Sequence, residues 1–185
     1  KWVGSVKRFS LRKGLDAPIL GTPRQAIDTG TRVTAGAING EDFVGLKPRI
    51  VVAEGDIVGP GSPILYDKDL PEAQVVSPVA GRIKAINRGA RRKLISVEIQ
   101  VQDDAAPPVD FSDVGSDSAR EGLVEKLCAA GLWTAFRTRP YSKVPALDGT
   151  PKAIYVAAMD TEPLAADPTL AIMEEPEAFS RGLAA

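Results

Sequence analysis

The chain has 185 residues, 44% hydrophobic and 25% charged, enough for one globular domain or two small ones. Its 23 Lys and Arg against 24 Asp and Glu leave a net charge of −1, which gives no overall field to gather nucleic acid. It has no histidine and one cysteine, Cys128, which excludes Ser-His-Asp and Cys-His nucleophile systems, imidazole zinc sites, His-ligated haem and Cys-held iron–sulfur clusters within these residues.

Lys1 to Lys13 carries five basic residues and no acid, lacks the apolar stretch of a secretory signal, and runs into the breaker-rich segment Gly14 to Pro18, so it is read as extended. No run reaches the roughly 18 to 20 apolar residues of a bilayer-spanning helix. One thiol cannot form an internal disulfide, which fits a reducing cytoplasm. From Arg49 to Val101 the pattern predicts an all-β unit, with strands expected over 49–53, 62–66, 74–76, 82–86 and 93–101. Turns are marked at Glu54 to Asp56, Gly59 to Gly61, Ser77 to Gly81 and Asn87 to Gly89, each with Gly or Pro where the chain must reverse. Strands this short imply a barrel or sandwich. The acidic, proline-bearing run Asp103 to Val109 cannot continue a central strand, which divides the chain into a β-rich domain over 1–102, a linker over 103–117 and a second domain over 118–185.

In the second domain Ser118 and Glu121 form a capping box, Leu123, Val124, Leu127 and Ala130 follow at helical spacing, and Gly131 is the stop. A loop-like stretch from Trp133 to Pro145 leads to Lys152 to Ala158, whose apolar run predicts a buried strand. Glu174 to Ala185 has helical composition apart from Pro176 and Gly182. One strand makes no sheet, so the chain is expected to be truncated relative to the natural protein, or its last strand to pair elsewhere.

Four features could carry chemistry. Glu54 to Leu65 followed by Val76 to Ile83 resembles the two turns of biotinyl and lipoyl carrier domains, in which a lysine on the hairpin between the motifs takes the cofactor. Lys68, after Asp67, invites that reading, but it follows Leu65 closely, has no flanking methionine, and the hairpin tip is expected near Leu70 and Pro71. An exposed strand-end lysine is the plainer reading. Arg88, Arg91, Arg92 and Lys93 concentrate positive potential on one turn and could meet an anion or acidic partner, although solvated basic turns are common. Trp133, Phe136, Arg137, Arg139, Tyr141 and Lys143 join three aromatics with three cations in eleven residues of a chain 5% aromatic. That mixture suits a nucleotide or quinone head group, by stacking and bidentate contacts, and equally suits a seam between the two domains. Asp160 follows the expected strand, where α/β sheets tend to bind ligands and where helix N-caps are also common.

Three runs, Leu11 to Gly21, Gly131 to Pro145 and Ala158 to Pro168, resemble the signature runs of the A-subunit family of the Na+-translocating NADH:quinone reductase. The resemblance covers nearly the whole chain in order, and the Arg-Thr-Arg-Pro run at 137–140 is more specific than the carrier-like glycines. It implies an α+β chain: a barrel-sandwich hybrid domain of biotinyl/lipoyl type, then the start of a Rossmann-like α/β domain. It also implies a peripheral position on the cytoplasmic face of the bacterial inner membrane, docked on the membrane-embedded B subunit. Such a chain would not be catalytic on its own. The complex would use NADH, flavins, iron–sulfur centres, ubiquinone and Na+, with no redox cofactor bound by this chain. Trp133, Phe136, Arg137, Arg139, Tyr141, Lys143 and Asp160 are then the candidates for quinone or partner contact. A lysine-acylated carrier domain and the C subunit of the related Rnf complex, which carries clustered cysteines, are the alternatives.

Overall fold

In a computed structural model of the chain, the described residues are 10, 14, 19–103, 105–115, 120–160 and 162–184. Most of the arm expected to be extended, and Ser118 of the expected capping box, lie outside them. Packing divides the chain into two units, Gly30–Lys152 and Lys1–Thr29 with Ala153–Ala185.

The first unit is built on strands β1 (Ala35–Asn39), β2 (Pro48–Ile50), β3 (Ile57–Val58), β4 (Pro63–Asp67), β5 (Leu70–Val76), β6 (Gly81–Arg88) and β7 (Leu94–Val101). They form a four-stranded sheet in the order β1-β7-β6-β3 and a three-stranded sheet in the order β2-β4-β5, antiparallel throughout. β4 buries the consecutive Ile64 and Leu65 at a register shift. In β6 and β7, by contrast, alternation turns one face inward: Ile83 is buried between exposed Arg82 and Lys84, and Val97 and Ile99 flank the half-exposed Glu98. Ile38, Ile64, Leu65, Val75 and Leu94 meet them in a single core. Ser96 is also buried, and the Asn87 amide donates to its hydroxyl at 3.0 Å, which removes the penalty of an unpaired polar group.

The two glycine-rich motifs meet each other. Gly61 donates to the Ser77 carbonyl and Ser77 donates back to the Ser62 carbonyl, both at 2.8 Å. Gly55, at φ +95°, turns the first motif so that its N–H reaches the Ile83 carbonyl at 2.8 Å. The stretch expected to be a linker packs against this corner. Val109 donates to the Pro60 carbonyl at 2.8 Å, and a Cβ on Gly59 would stand 2.2 Å from the Pro107 carbonyl oxygen.

Three expectations need correction. The β4–β5 tip is Lys68 and Asp69, since Asp67 pairs with Leu70 and the Asp67 carboxylate accepts the Asp69 N–H at 3.0 Å. Pro71 therefore lies inside β5, where an edge strand tolerates its missing donor. The strand expected over 49–53 is the shorter β2, pairing with β4 only from Pro48 to Ile50. The strand expected over 152–158 is not formed: no neighbouring strand pairs with it among the described residues, and Ile154, Tyr155 and Val156 are exposed.

Helix α1 (Arg120–Ala129) ends, as its sequence predicts, at Gly131 with φ +75°. Its apolar face, with Val124, Leu127 and Cys128, packs on Leu70 and Ala73 of β5. In the other unit α2 (Thr169–Glu174) is followed by α3 (Pro176–Ala184), which opens on the proline because a first-turn residue needs no N–H.

Candidate functional site

The aromatic–basic loop starts where Gly131 ends α1 and a 3-10 turn, Leu132–Ala135, carries Trp133 inward. Trp133 is 8% exposed and packs in the cluster of Cys128 and Ala73, with Phe136 at a ring-centroid distance of 5.4 Å and a tilt of 55°. The indole N–H donates to the Pro145 carbonyl at 3.0 Å, and the buried Thr134 hydroxyl donates to the Gly131 carbonyl at 2.9 Å. These bonds leave neither buried side chain in want of a partner.

Arg137 is occupied by the backbone. Its guanidinium donates to the carbonyls of Thr134, Phe136 and, across the unit, Asp42. The backbone N–H and hydroxyl of Thr138 both donate to the Lys143 carbonyl, at 2.8 and 3.0 Å, and Ser142 donates back to the Thr138 carbonyl. That closure presents Arg139, Tyr141 and Lys143 to solvent, Tyr141 at 76% exposure. The loop thus splits into a holding half, Trp133, Phe136 and Arg137, and a presenting half, Arg139, Tyr141 and Lys143. The first half packs between α1 and β5 within the first unit.

Asp160 belongs to the other unit. Its carboxylate accepts the Glu162 N–H at 2.9 Å, which is a local turn and not the expected helix cap. The carboxylate that supports a helix start is Asp167, which accepts the Thr169 N–H at 2.9 Å ahead of α2 and is held below its usual pKa by the Thr169 hydroxyl and N–H. Cys128, beneath Trp133, is buried, and burial together with the Glu72 charge pushes its thiol up to about 11. A thiol so placed is neutral at physiological pH and unsuited to nucleophilic work.

The basic turn Arg88 to Lys93 faces residues that sequence spacing did not connect with it. With Lys47, Arg49 and the hairpin-tip Lys68 it lines one cleft. Lys47 and Arg49 stand about forty positions from the turn and on the other sheet, so only the packing of the β2-β4-β5 sheet beside the β1-β7-β6-β3 sheet brings them together.

A family model for the NqrA N-terminal barrel-sandwich hybrid domain matches residues 9–102, and one for the NqrA second alpha/beta domain matches residues 118–185. Both agree with the order of folds expected from the sequence. The chain is 49% identical over 178 residues to a protein of Saccharophagus degradans, 47% over 178 residues to one of Teredinibacter turnerae, and 46% over 177 residues to one of Vibrio vulnificus. Each of these relatives is named as the A subunit of a Na(+)-translocating NADH-quinone reductase, and each alignment covers 95% of this chain and 40% of the relative. The chain spans about two fifths of the length of the curated relatives it matches.

Proposed function

The chain belongs to the NqrA family, the A subunits of Na+-translocating NADH-quinone reductases, and from that premise we propose that it works as a shaping and docking part of such a protein. The observation that carries this reading is that both NqrA domains match in order, with 95% of the chain aligned to relatives of that name. The pump couples NADH oxidation and ubiquinone reduction to Na+ export, while this chain contributes surfaces. Two features support that division of labour. Within these 185 residues there is no histidine and the one thiol is buried, which leaves few soft ligands for a redox centre. No helix among the described residues is long and apolar enough to cross a membrane, and the place we assign the chain is peripheral, on the cytoplasmic face against the B subunit.

The presenting half of the aromatic–basic loop is the contact surface we assign to quinone or to the membrane partner. Arg139 and Lys143 offer charge-assisted donors, and the exposed Tyr141 ring offers a stacking face. Co-purification of the full-length protein with the membrane subunits tests the reading. If it never associates with them, and its deletion leaves NADH-driven quinone reduction intact, the proposal fails.

One observation favours a second reading. Lys68 occupies the two-residue tip of the β4–β5 hairpin, the place where biotinyl and lipoyl carriers hold their cofactor lysine. Intact mass of the full-length protein from its native host decides it. An unmodified mass removes the carrier reading, and an acyl adduct on Lys68 establishes it.

A further inference from the structure

Seven cations converge on one open cleft of about 680 Å³ in the β-sheet unit. Lys47 and Arg49 reach it from the β2 segment, Lys68 from the hairpin tip, and Arg88, Arg91, Arg92 and Lys93 from the β6–β7 turn. Two of these have carboxylate partners: Lys47 pairs with Asp69 and Lys93 with Glu41, each at 2.8 Å. Arg49, Lys68, Arg88, Arg91 and Arg92 make no ion pair among the described residues, on a chain whose net charge is −1. The Arg88 guanidinium instead donates to the Arg92 carbonyl at 3.2 Å. Leu46, Pro48, Ile50 and Leu94 supply apolar lining beneath the charges.

We propose that this cleft binds a phosphate group, carried by a soluble phosphorylated compound or by a phospholipid head. The five cations without a carboxylate partner repel one another, and an anion entering the cleft relieves that repulsion at every neighbour at once. A phosphate answers the arrangement better than a single carboxylate. It brings more charge and more acceptor oxygens, and guanidinium groups meet it in bidentate pairs. The concavity has the size of a small-ligand site, about 300 to 1,000 Å³, and the apolar lining can take the organic part of an ester. Arg91 and Arg92 both hold positive φ, at 54° and 61°, so the turn is fixed in a conformation that residues bearing a side chain rarely adopt. This inference rests on the β-sheet unit alone and stands apart from the quinone or partner contact assigned to the loop.

The test uses the full-length protein, with inorganic pyrophosphate as the soluble probe and phosphatidylcholine vesicles with or without phosphatidylglycerol as the membrane probe. Calorimetric titration is expected to detect pyrophosphate binding that weakens as salt rises. The combined variant Arg49→Ala, Arg91→Ala, Arg92→Ala is expected to bind about ten-fold more weakly or worse. Lys84→Ala, a cation outside the cleft paired with Glu98, serves as the control and is expected to bind as wild type does. Sedimentation with vesicles separates the sources. Binding to phosphatidylglycerol vesicles that pyrophosphate displaces points to a lipid head, and pyrophosphate binding with vesicles ignored points to a soluble compound. The single variant Arg92→Glu, at an exposed turn, repeats the measurement should the combined variant misfold, and it too is expected to lose binding. The proposal is overturned if wild type binds neither probe, or if the folded cleft variants bind as tightly as wild type.

Discussion

The indole N–H of Trp133 reaches the carbonyl of Pro145, twelve positions on, at 3.0 Å, and so ties the two ends of the aromatic–basic loop together. The same ring fills the space between α1 and β5. Trp133→Ala removes both contributions and is expected to destabilise the first unit by about 3 to 5 kcal/mol. Trp133→Phe keeps an aromatic ring but loses the donor, for a cost of about 1 kcal/mol. Urea unfolding of the full-length protein measures the difference, and equal midpoints for wild type and Trp133→Ala would refute the packing role.

Cys128 sets a pH dependence. Its thiol rises from 9.0 to about 11 on folding, through burial first and the Glu72 charge second. The folded state therefore binds more protons than the unfolded state between those values, and stability falls as pH climbs through that window. Below pH 9.0 the contribution is whole, and it is lost progressively as pH climbs toward about 11. Unfolding midpoints at about pH 8 and about pH 10.5 compare wild type with Cys128→Ala, which cannot titrate there. The wild-type midpoint is expected to drop further. Native protein should also resist iodoacetamide until denaturant is added.

Gly59 and Gly182 are expected to respond oppositely to alanine. A Cβ on Gly59 meets the Pro107 backbone oxygen at 2.2 Å, and a backbone atom cannot swing aside as a side chain would. Gly59→Ala should cost about 1 to 3 kcal/mol and speed amide exchange at Val109, whose N–H holds the Pro60 carbonyl. Nothing lies within 4 Å of a Cβ on Gly182, inside α3, so Gly182→Ala should stabilise that helix by about 0.5 to 1 kcal/mol. Hydrogen exchange followed by mass spectrometry reads both changes in one experiment.

Arg139 and Tyr141 are exposed, so their alanine variants should unfold at the wild-type midpoint. If the presenting half of the loop meets quinone or a membrane partner, the double variant should lower NADH-driven quinone reduction or recovery of the assembled complex by about ten-fold. Lys84→Ala provides the comparison. Wild-type activity and assembly in the double variant would remove the loop from the contact surface.

Sequence pattern made β6 and β7 legible because their apolar residues alternate with polar neighbours, as at Arg82, Ile83 and Lys84, and β4 because its apolar run sits between turn signals. The α1 stop was legible because Gly131 tolerates the left-handed conformation the turn needs. β1, Ala35–Asn39, was not, since its Ala, Gly and Asn residues carry little strand preference and β7 imposes the pairing. Pro71 drew the hairpin tip to the wrong place because its edge position is a property of the sheet and not of the local sequence. Ile154, Tyr155 and Val156 have strand composition, yet a strand exists only through its neighbours. For the basic cleft, the Arg88 to Lys93 turn stood out at once, while Lys47 and Arg49 became its companions only through the packing of one sheet beside the other.

The docking of α1 on Ala73 of β5 separates two meanings of the word domain. Kinship divides the sequence between residues 102 and 118, whereas packing keeps everything from Gly30 to Lys152 together. A gene cut at the ancestral join would strip the β5 face of its cover, leaving Leu70 and Ala73 bare and inviting self-association. The packed unit therefore runs past the end of the family domain at residue 102, because α1 and the loop after it cover the β5 face.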